Sequence, residues 1–156
     1  MIAIYPGTFD PITLGHEEII FRASRLFDYL IIGVAQNNTK HSNLHLDHRL
    51  ALVNLASKDF PNVSFESYQG LTINFAKAKK AQVIVRGVRN TSDFNYESQM
   101  AGMNNIMDKE VETLLLVSSD SVKSISSTIV RQILSLDGDT SKFLSSEVNN
   151  YLKNIK

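Results

Sequence analysis

The feature that most restricts this chain is a regular alternation between two hydrophobic periods. Short runs rich in Ile, Val and Leu fall at residues 2–5, 29–35, 63–68, 82–85 and 113–117, most of them bounded by Gly, Pro, Asn, Asp or Ser, the pattern of strands buried on both faces. Between them lie stretches with the helical period. Within 16–27, Ile19, Ile20, Ala23, Leu26 and Phe27 share one helical face, and similar stretches follow at 47–58, 72–80, 92–107 and 126–136, with a helical tail at 147–155. Strand, helix and strand repeated in this way are βαβ units. Near-continuous apolar strands joined by such crossovers assemble into a parallel sheet covered by helices on both faces. The expectation is therefore an α/β chain with a doubly wound, five-stranded parallel sheet of Rossmann-like type. A chain of 156 residues supports one core, since roughly 150 residues bury about 68–70% of their unfolded surface. Residues 1–156 read as a single domain, without an internal repeat or a low-complexity tract.

Charge narrows the partners. The 16 Lys plus Arg balance the 16 Asp plus Glu, so no general field draws in nucleic acid or an anionic membrane, and anion binding has to be local. The absence of cysteine excludes a disulfide framework, a thiolate nucleophile and a thiolate metal site. The N-terminal stretch before Pro6 is too short and too uncharged for a signal peptide, and no later apolar run reaches the roughly 18 residues that span a bilayer. A cytoplasmic protein is expected, with neither nucleic acid nor membrane as partner. Lys77, Lys79 and Lys80 read as the solvated end of a helix.

In an open parallel sheet, ligands bind beyond the carboxyl ends of the strands, so the segment after each strand carries the chemistry. These segments hold 6–16 after the first strand, Asn37, Asn38, Thr39 and Lys40 after the second, Gly70, Leu71 and Thr72 after the third, Arg86, Gly87, Val88 and Arg89 after the fourth, and 118–128 after the fifth. Gly15 and His16 stand where the first helix begins, an end whose free N–H groups favour phosphate. The imidazole and the Thr8 hydroxyl would add directed donors; a His there equally caps or packs. Asp10, between Phe9 and Pro11, reads as an Asx-type brace for its own loop. Arg86 and Arg89 flank a glycine and can fork onto phosphate oxygens, whereas Lys40 alone reads as a solvated loop lysine. Ser126, Ser127 and Thr128, with Arg131 one turn on, exceed what a helix cap requires. Together these residues point to a phosphate-rich ligand.

At those residues the sequence resembles the nucleotidyltransferase superfamily with the T/H-x-G-H signature, here Thr13-Leu14-Gly15-His16, and its partner I-S-S-T-x-x-R, here residues 125–131. Within that superfamily it is similar, nearly end to end, to the bacterial phosphopantetheine adenylyltransferase family. YPGTFDPIT opens the chain, and NFA at 74–76, VIVRGVR at 83–89, D-F-x-Y-E at 93–97 and the Gly138-Asp139 pair follow. The resemblance implies that the adenylyl group of ATP passes to 4'-phosphopantetheine, with Mg²⁺, by direct in-line displacement of pyrophosphate and without a covalent intermediate. It implies catalytic roles for Thr8, His16, Lys40 and Arg89. It implies ATP contacts from Thr8, Phe9, His16, Gly87, Val88, Arg89, Glu97, Val122, Lys123, Ser124, Ile125, Ser126, Ser127 and Thr128. Acceptor contacts fall to Thr8, Lys40, Thr72, Asn74 and Arg86; no protein metal ligand is implied. Val122-Lys123-Ser124 departs from the aromatic-serine-aromatic run that the family carries before I-S-S. The same resemblance suggests a homohexamer with coenzyme A as feedback inhibitor, while Phe143, Leu144, Val148, Tyr151, Leu152 and Ile155 suit packing within one subunit equally well. The two motifs are shared with transferases acting on NMN or a sugar-alcohol phosphate; Lys40, Thr72, Asn74 and Arg86 favour the pantetheine acceptor. A nucleotide-binding module that no longer catalyses is the alternative from another class.

Overall fold

A computed structural model describes residues 1–36 and 43–155. Five strands, β1 (Ile2–Gly7), β2 (Tyr29–Ala35), β3 (Val63–Tyr68), β4 (Val83–Val88) and β5 (Glu112–Val117), alternate with helices α1 (Leu14–Leu26), α2 (Leu46–Ser57), α3 (Thr72–Ala78) and α4 (Thr91–Met107). Two further helices, α5 (Ser127–Ser135) and α6 (Ser146–Asn154), close the chain. All strand pairs are parallel and the order is β3-β2-β1-β4-β5, the doubly wound arrangement expected from the alternating periods.

Side-chain alternation along β1 sends successive residues to opposite faces and so divides the core in two. Ala3 and Tyr5 join Leu30, Ile32, Val34, Val83 and Val85 beneath Ile19, Ile20 and Ala23 of α1, Leu52 and Val53 of α2, Val130 of α5 and Val148 and Leu152 of α6. Ile4 faces the other way, with Ile31 and Ile84, against Ile73, Phe75 and Ala76 of α3. Leu144, Val148 and Leu152 are thus committed to the subunit's own core, with Phe143, Tyr151 and Ile155 packed at its edge. No helix among the described residues is long and apolar enough to cross a membrane.

One boundary differs from the sequence reading in a way that matters. The fourth apolar run was expected to end at 85, leaving Arg86, Gly87 and Val88 in the following loop. Instead they continue β4, paired with Leu115, Leu116 and Val117. An arginine interrupts the apolar run without ending the strand, because its side chain finds a carboxylate on α4 rather than solvent. The lysine cluster is likewise more than a solvated end, since Lys77 pairs with Asp108 at 3.1 Å and Lys79 with Glu66 at 2.6 Å.

Candidate active site

β1 leads to β2 on one side of it while its other neighbour, β4, leads away to β5, so the winding direction reverses between β1 and β4. A crevice opens at such a reversal, beyond the carboxyl ends of the two strands. Here it has a volume of about 490 Å³ and brings together Thr8, Phe9, Gly15, His16, Arg86, Gly87, Arg89, Glu97 and Ile125 through Thr128. The residues after β1, β4 and β5 therefore meet, as the sequence suggested, but Thr72 and Asn74 of α3 are not among those lining it. Their helix follows β3, the edge strand two places from the reversal, and the Thr72 hydroxyl lies 3.0 Å from that of Tyr68. Lys40 and its neighbours 37–39 lie outside the described residues.

His16 occupies the third position of α1 and serves two ends at once. Its Nδ1 accepts the Thr13 backbone N–H at 3.1 Å, which a backbone amide can only donate, so Nδ1 carries no proton and Nε2 carries it. Capping and donating are thus compatible uses of one ring: the cap fixes the tautomer that leaves an N–H for the crevice. Burial, followed by the positive fields of Arg89 and Arg86, pushes the imidazole down to about 4. His16 is therefore a neutral donor at physiological pH. A Cβ at Gly15 would stand 3.6 Å from the Thr13 hydroxyl and 3.8 and 3.9 Å from the carbonyls of Val122 and Ile125, ordinary contact distances, so packing among the described residues does not by itself demand a glycine there.

The two guanidiniums are pinned differently. Arg86 donates from Nε and Nη2 to the two Glu97 oxygens at 2.8 and 2.6 Å and from Nη1 to the Pro6 carbonyl at 2.7 Å. Burial works against its charge, yet the Glu97 carboxylate outweighs that effect and holds Arg86 above its ordinary value. Arg89 donates from Nε to Asp93 and from Nη1 to the Ile125 carbonyl, both at 3.1 Å, tying β4 to the entrance of α5. Each fork keeps undirected N–H groups over for an anion. The lining carboxylates Asp93 and Glu97 are thus engaged by arginines, and among the described residues no three His, Asp or Glu side chains gather into a metal-binding group.

Loop 8–13 is held by side chains from distant elements. Asp10 is not the local Asx brace expected: its carboxylate accepts the N–H groups of Asn43 and Leu44 at 2.8 and 3.0 Å, joining the first loop to the segment ahead of α2. Arg49, 3% exposed, donates from Nη1 to the carbonyls of Thr8 and Ala35, both at 2.8 Å, and from Nε to that of Leu44 at 3.3 Å. Arg131 donates to the Asp10 carbonyl at 2.6 Å and the Ser127 hydroxyl to that of Pro11 at 2.8 Å. The hydroxyl run at α5 thereby divides its work: Ser126 caps the helix through Ile129 N–H at 3.2 Å, Ser127 anchors the loop, and Thr128 lines the crevice beside both.

Val88 is buried, and 122–124 form a turn outside the crevice lining, with Lys123 paired to Asp120 at 2.6 Å. Glu18 holds the start of this segment, accepting from the Ser119 N–H at 3.1 Å and hydroxyl at 2.8 Å. Sequence reading placed Ser118 at the crevice, which it lines, but gave no role to Tyr5 and Asp93, which line it too, nor to Arg49. A signal existed for two of them. Asp93 stands four residues after Arg89, the spacing of a helical ion pair, and Arg49 falls on the face that carries Leu52 and Val53, where an unexplained charge marks a buried contact.

The cytidylyltransferase-like family matches residues 4–133. The phosphopantetheine adenylyltransferases of Janthinobacterium sp. (strain Marseille) and Herminiimonas arsenicoxydans are each 52% identical over 151 residues, covering 97% of this chain and 94% and 93% of theirs. That of Paraburkholderia phymatum is 46% identical over 153 residues, covering 98% of this chain and 91% of its own. Among solved structures, a nicotinic acid mononucleotide adenylyltransferase of Plasmodium falciparum complexed with NaAD superposes with a TM-score of 0.75 at 17% identity, covering 99% of this chain and 95% of that one. A putative nicotinate-nucleotide adenylyltransferase of Vibrio parahaemolyticus gives 0.71 at 22%, with 98% of both chains covered. At those identities the two structures speak for the fold.

Proposed function

The chain belongs to the cytidylyltransferase-like family and, within it, to the phosphopantetheine adenylyltransferases, and from that premise we propose how its crevice works. It transfers the adenylyl group of ATP to 4'-phosphopantetheine, giving dephospho-coenzyme A and pyrophosphate, a step of coenzyme A biosynthesis. The observation that carries the reading is the meeting of a neutral imidazole donor, two forked guanidiniums and a hydroxyl-rich helix start at one reversal of the sheet.

This chemistry asks little of the protein beyond alignment and charge neutralisation. The attacking phosphate is already anionic and pyrophosphate is a workable leaving group, so neither a general base nor a protein nucleophile is needed. The acceptor phosphate takes the free N–H groups of Arg86, Lys40 supplies a further positive charge to it, and Thr72 and Asn74 serve the pantetheine arm. His16 and Thr8 donate to the reacting phosphate, where charge builds as the bond to pyrophosphate breaks. Arg89, with Gly87, Glu97 and the 125–128 segment, holds the nucleotide from the other side, against Phe9. Neutrality suits His16 to this role, because its Nε2–H can strengthen a hydrogen bond to developing charge without giving up a proton.

Mg²⁺ arriving with ATP would be held by phosphate oxygens and water, a mode that needs no carboxylate cage, and would neutralise charge on the triphosphate. The reading takes 1–156 as one nucleotidyltransferase domain working in the cytoplasm. It also takes the enzyme as a homohexamer, to which the exposed Phe94, Tyr96, Met103 and Ile106 of α4 offer apolar surface for subunit contact. Coenzyme A, which retains both halves of the product, would return to the same crevice as a feedback inhibitor. The test is pyrophosphate release from ATP offered with 4'-phosphopantetheine, NMN and glycerol 3-phosphate in parallel. Turnover with the first alone is expected; preference for either other acceptor would reassign the substrate, and ATP binding without pyrophosphate from any would remove catalysis.

A further inference from the structure

Tyr5 lines the crevice although its side chain is 5% exposed. Alternation along β1 turns it into the α1-side core, where its ring meets Phe9 edge-on with centroids 5.4 Å apart, and Phe9 meets His16 the same way at 5.2 Å. The ring is therefore fixed by packing, and its hydroxyl lies against Gly87: a Cβ built there would stand 4.0 Å from the oxygen and 3.2 Å from Ile19. The charges that act on this hydroxyl belong to Arg86, Glu97 and Arg89. Yet among the described residues the hydroxyl forms no hydrogen bond.

The ring is buried, but its oxygen is not sealed off without a partner as the Thr113 hydroxyl is; it opens on the crevice, where a phenylalanine would offer no donor. The partner of the hydroxyl must come from that open side. We propose that Tyr5 is a further substrate-binding residue, its hydroxyl donating to a phosphoryl oxygen of the acceptor between Arg86 and His16. The assignment rests on placing the acceptor phosphate at Arg86. Burial raises Tyr5 above the ordinary phenol range, so the group is a neutral donor throughout the working pH.

Tyr5→Phe isolates the oxygen, because the ring contacts to Phe9 survive and no protein hydrogen bond is lost. The melting temperature should stay within about 1 °C of wild type. In the pyrophosphate-release assay, kcat/KM for 4'-phosphopantetheine should fall about 10- to 100-fold, the loss of one hydrogen bond to a charged group, while calorimetric titration with ATP alone gives an unchanged Kd. Unaltered kcat/KM for the acceptor would mean that the hydroxyl meets only water, and equal losses toward ATP and acceptor would place it elsewhere; either overturns the proposal. A clear drop in melting temperature would reveal a protein partner and do the same. If wild type releases no pyrophosphate, the adenylyl-transfer reading fails on its own; calorimetric titration of both proteins with 4'-phosphopantetheine still decides Tyr5, equal affinities overturning it.

Discussion

Acidification should destabilise this fold through His16 by an amount set by its surroundings. Burial and the neighbouring arginines bring the imidazole from 6.5 to about 4, whereas the unfolded chain keeps the ordinary value. Above pH 6.5 both states are neutral and nothing is lost. As pH falls below 6.5 the unfolded state takes up a proton that the folded state refuses, so stability declines until the folded ring also titrates near 4. At 1.36 kcal/mol per pKa unit, and allowing for the partly exposed edge of the ring, the loss is about 2–3 kcal/mol, or roughly 4–12 °C in Tm for a chain of this size. His16→Gln supplies the reference, since a glutamine at the third helical position can accept the Thr13 N–H as the imidazole does but does not titrate. Urea denaturation of both proteins from pH 7 to 4 reads the difference, and the other titrating groups cancel between them. Parallel stability curves, or an NMR titration placing the His16 ring near 6.5, would show that the imidazole is neither shielded nor held neutral.

Three further outcomes follow from the same geometry. His16→Ala should fold but lose turnover by about 10²–10³-fold in a steady-state assay, the cost of one transition-state donor; near-wild-type turnover would remove it from the mechanism. Arg86→Ala should raise KM for the acceptor more than for ATP and also lower stability by about 3 kcal/mol, because the Glu97 carboxylate is left buried without its bidentate partner. Adding Glu97→Gln should restore much of the melting temperature but not the acceptor KM, which separates the structural from the binding contribution. Arg49→Met removes donors from the carbonyls of Thr8, Ala35 and Leu44 and should cost on the order of 3 kcal/mol in denaturant unfolding. Arg49→Lys should recover only part, since one ammonium cannot reproduce the planar fork.

Much of this arrangement was legible before any coordinates. Short apolar runs alternating with stretches of helical period wrote the order of strands and helices directly, because the central strands of a doubly wound sheet are covered on both faces. The crevice was legible too, since Thr8, His16, Arg89 and the 125–128 hydroxyls each follow a strand and the sheet's reversal makes their loops neighbours. What escaped were partnerships across the chain. Nothing near Asp10 announces that its carboxylate spans to Asn43 and Leu44, and nothing at Arg86 announces Glu97 on the next helix. Periodicity reports which face a residue takes, not which side chain meets it there. Arg86 shows the consequence at a boundary: read as the end of a strand because it is charged, it continues one because its charge is paired.

The stereochemical course at the α-phosphorus bears most directly on whether this crevice aligns two phosphates for a single displacement. With ATP chirally labelled by sulfur at the α-phosphorus and 4'-phosphopantetheine as acceptor, the dephospho-coenzyme A formed should carry inverted configuration, as one in-line attack requires. Retention would mean two displacements through an adenylylated side chain, a route for which neither His16, held as a neutral donor, nor a cysteine-free chain is built.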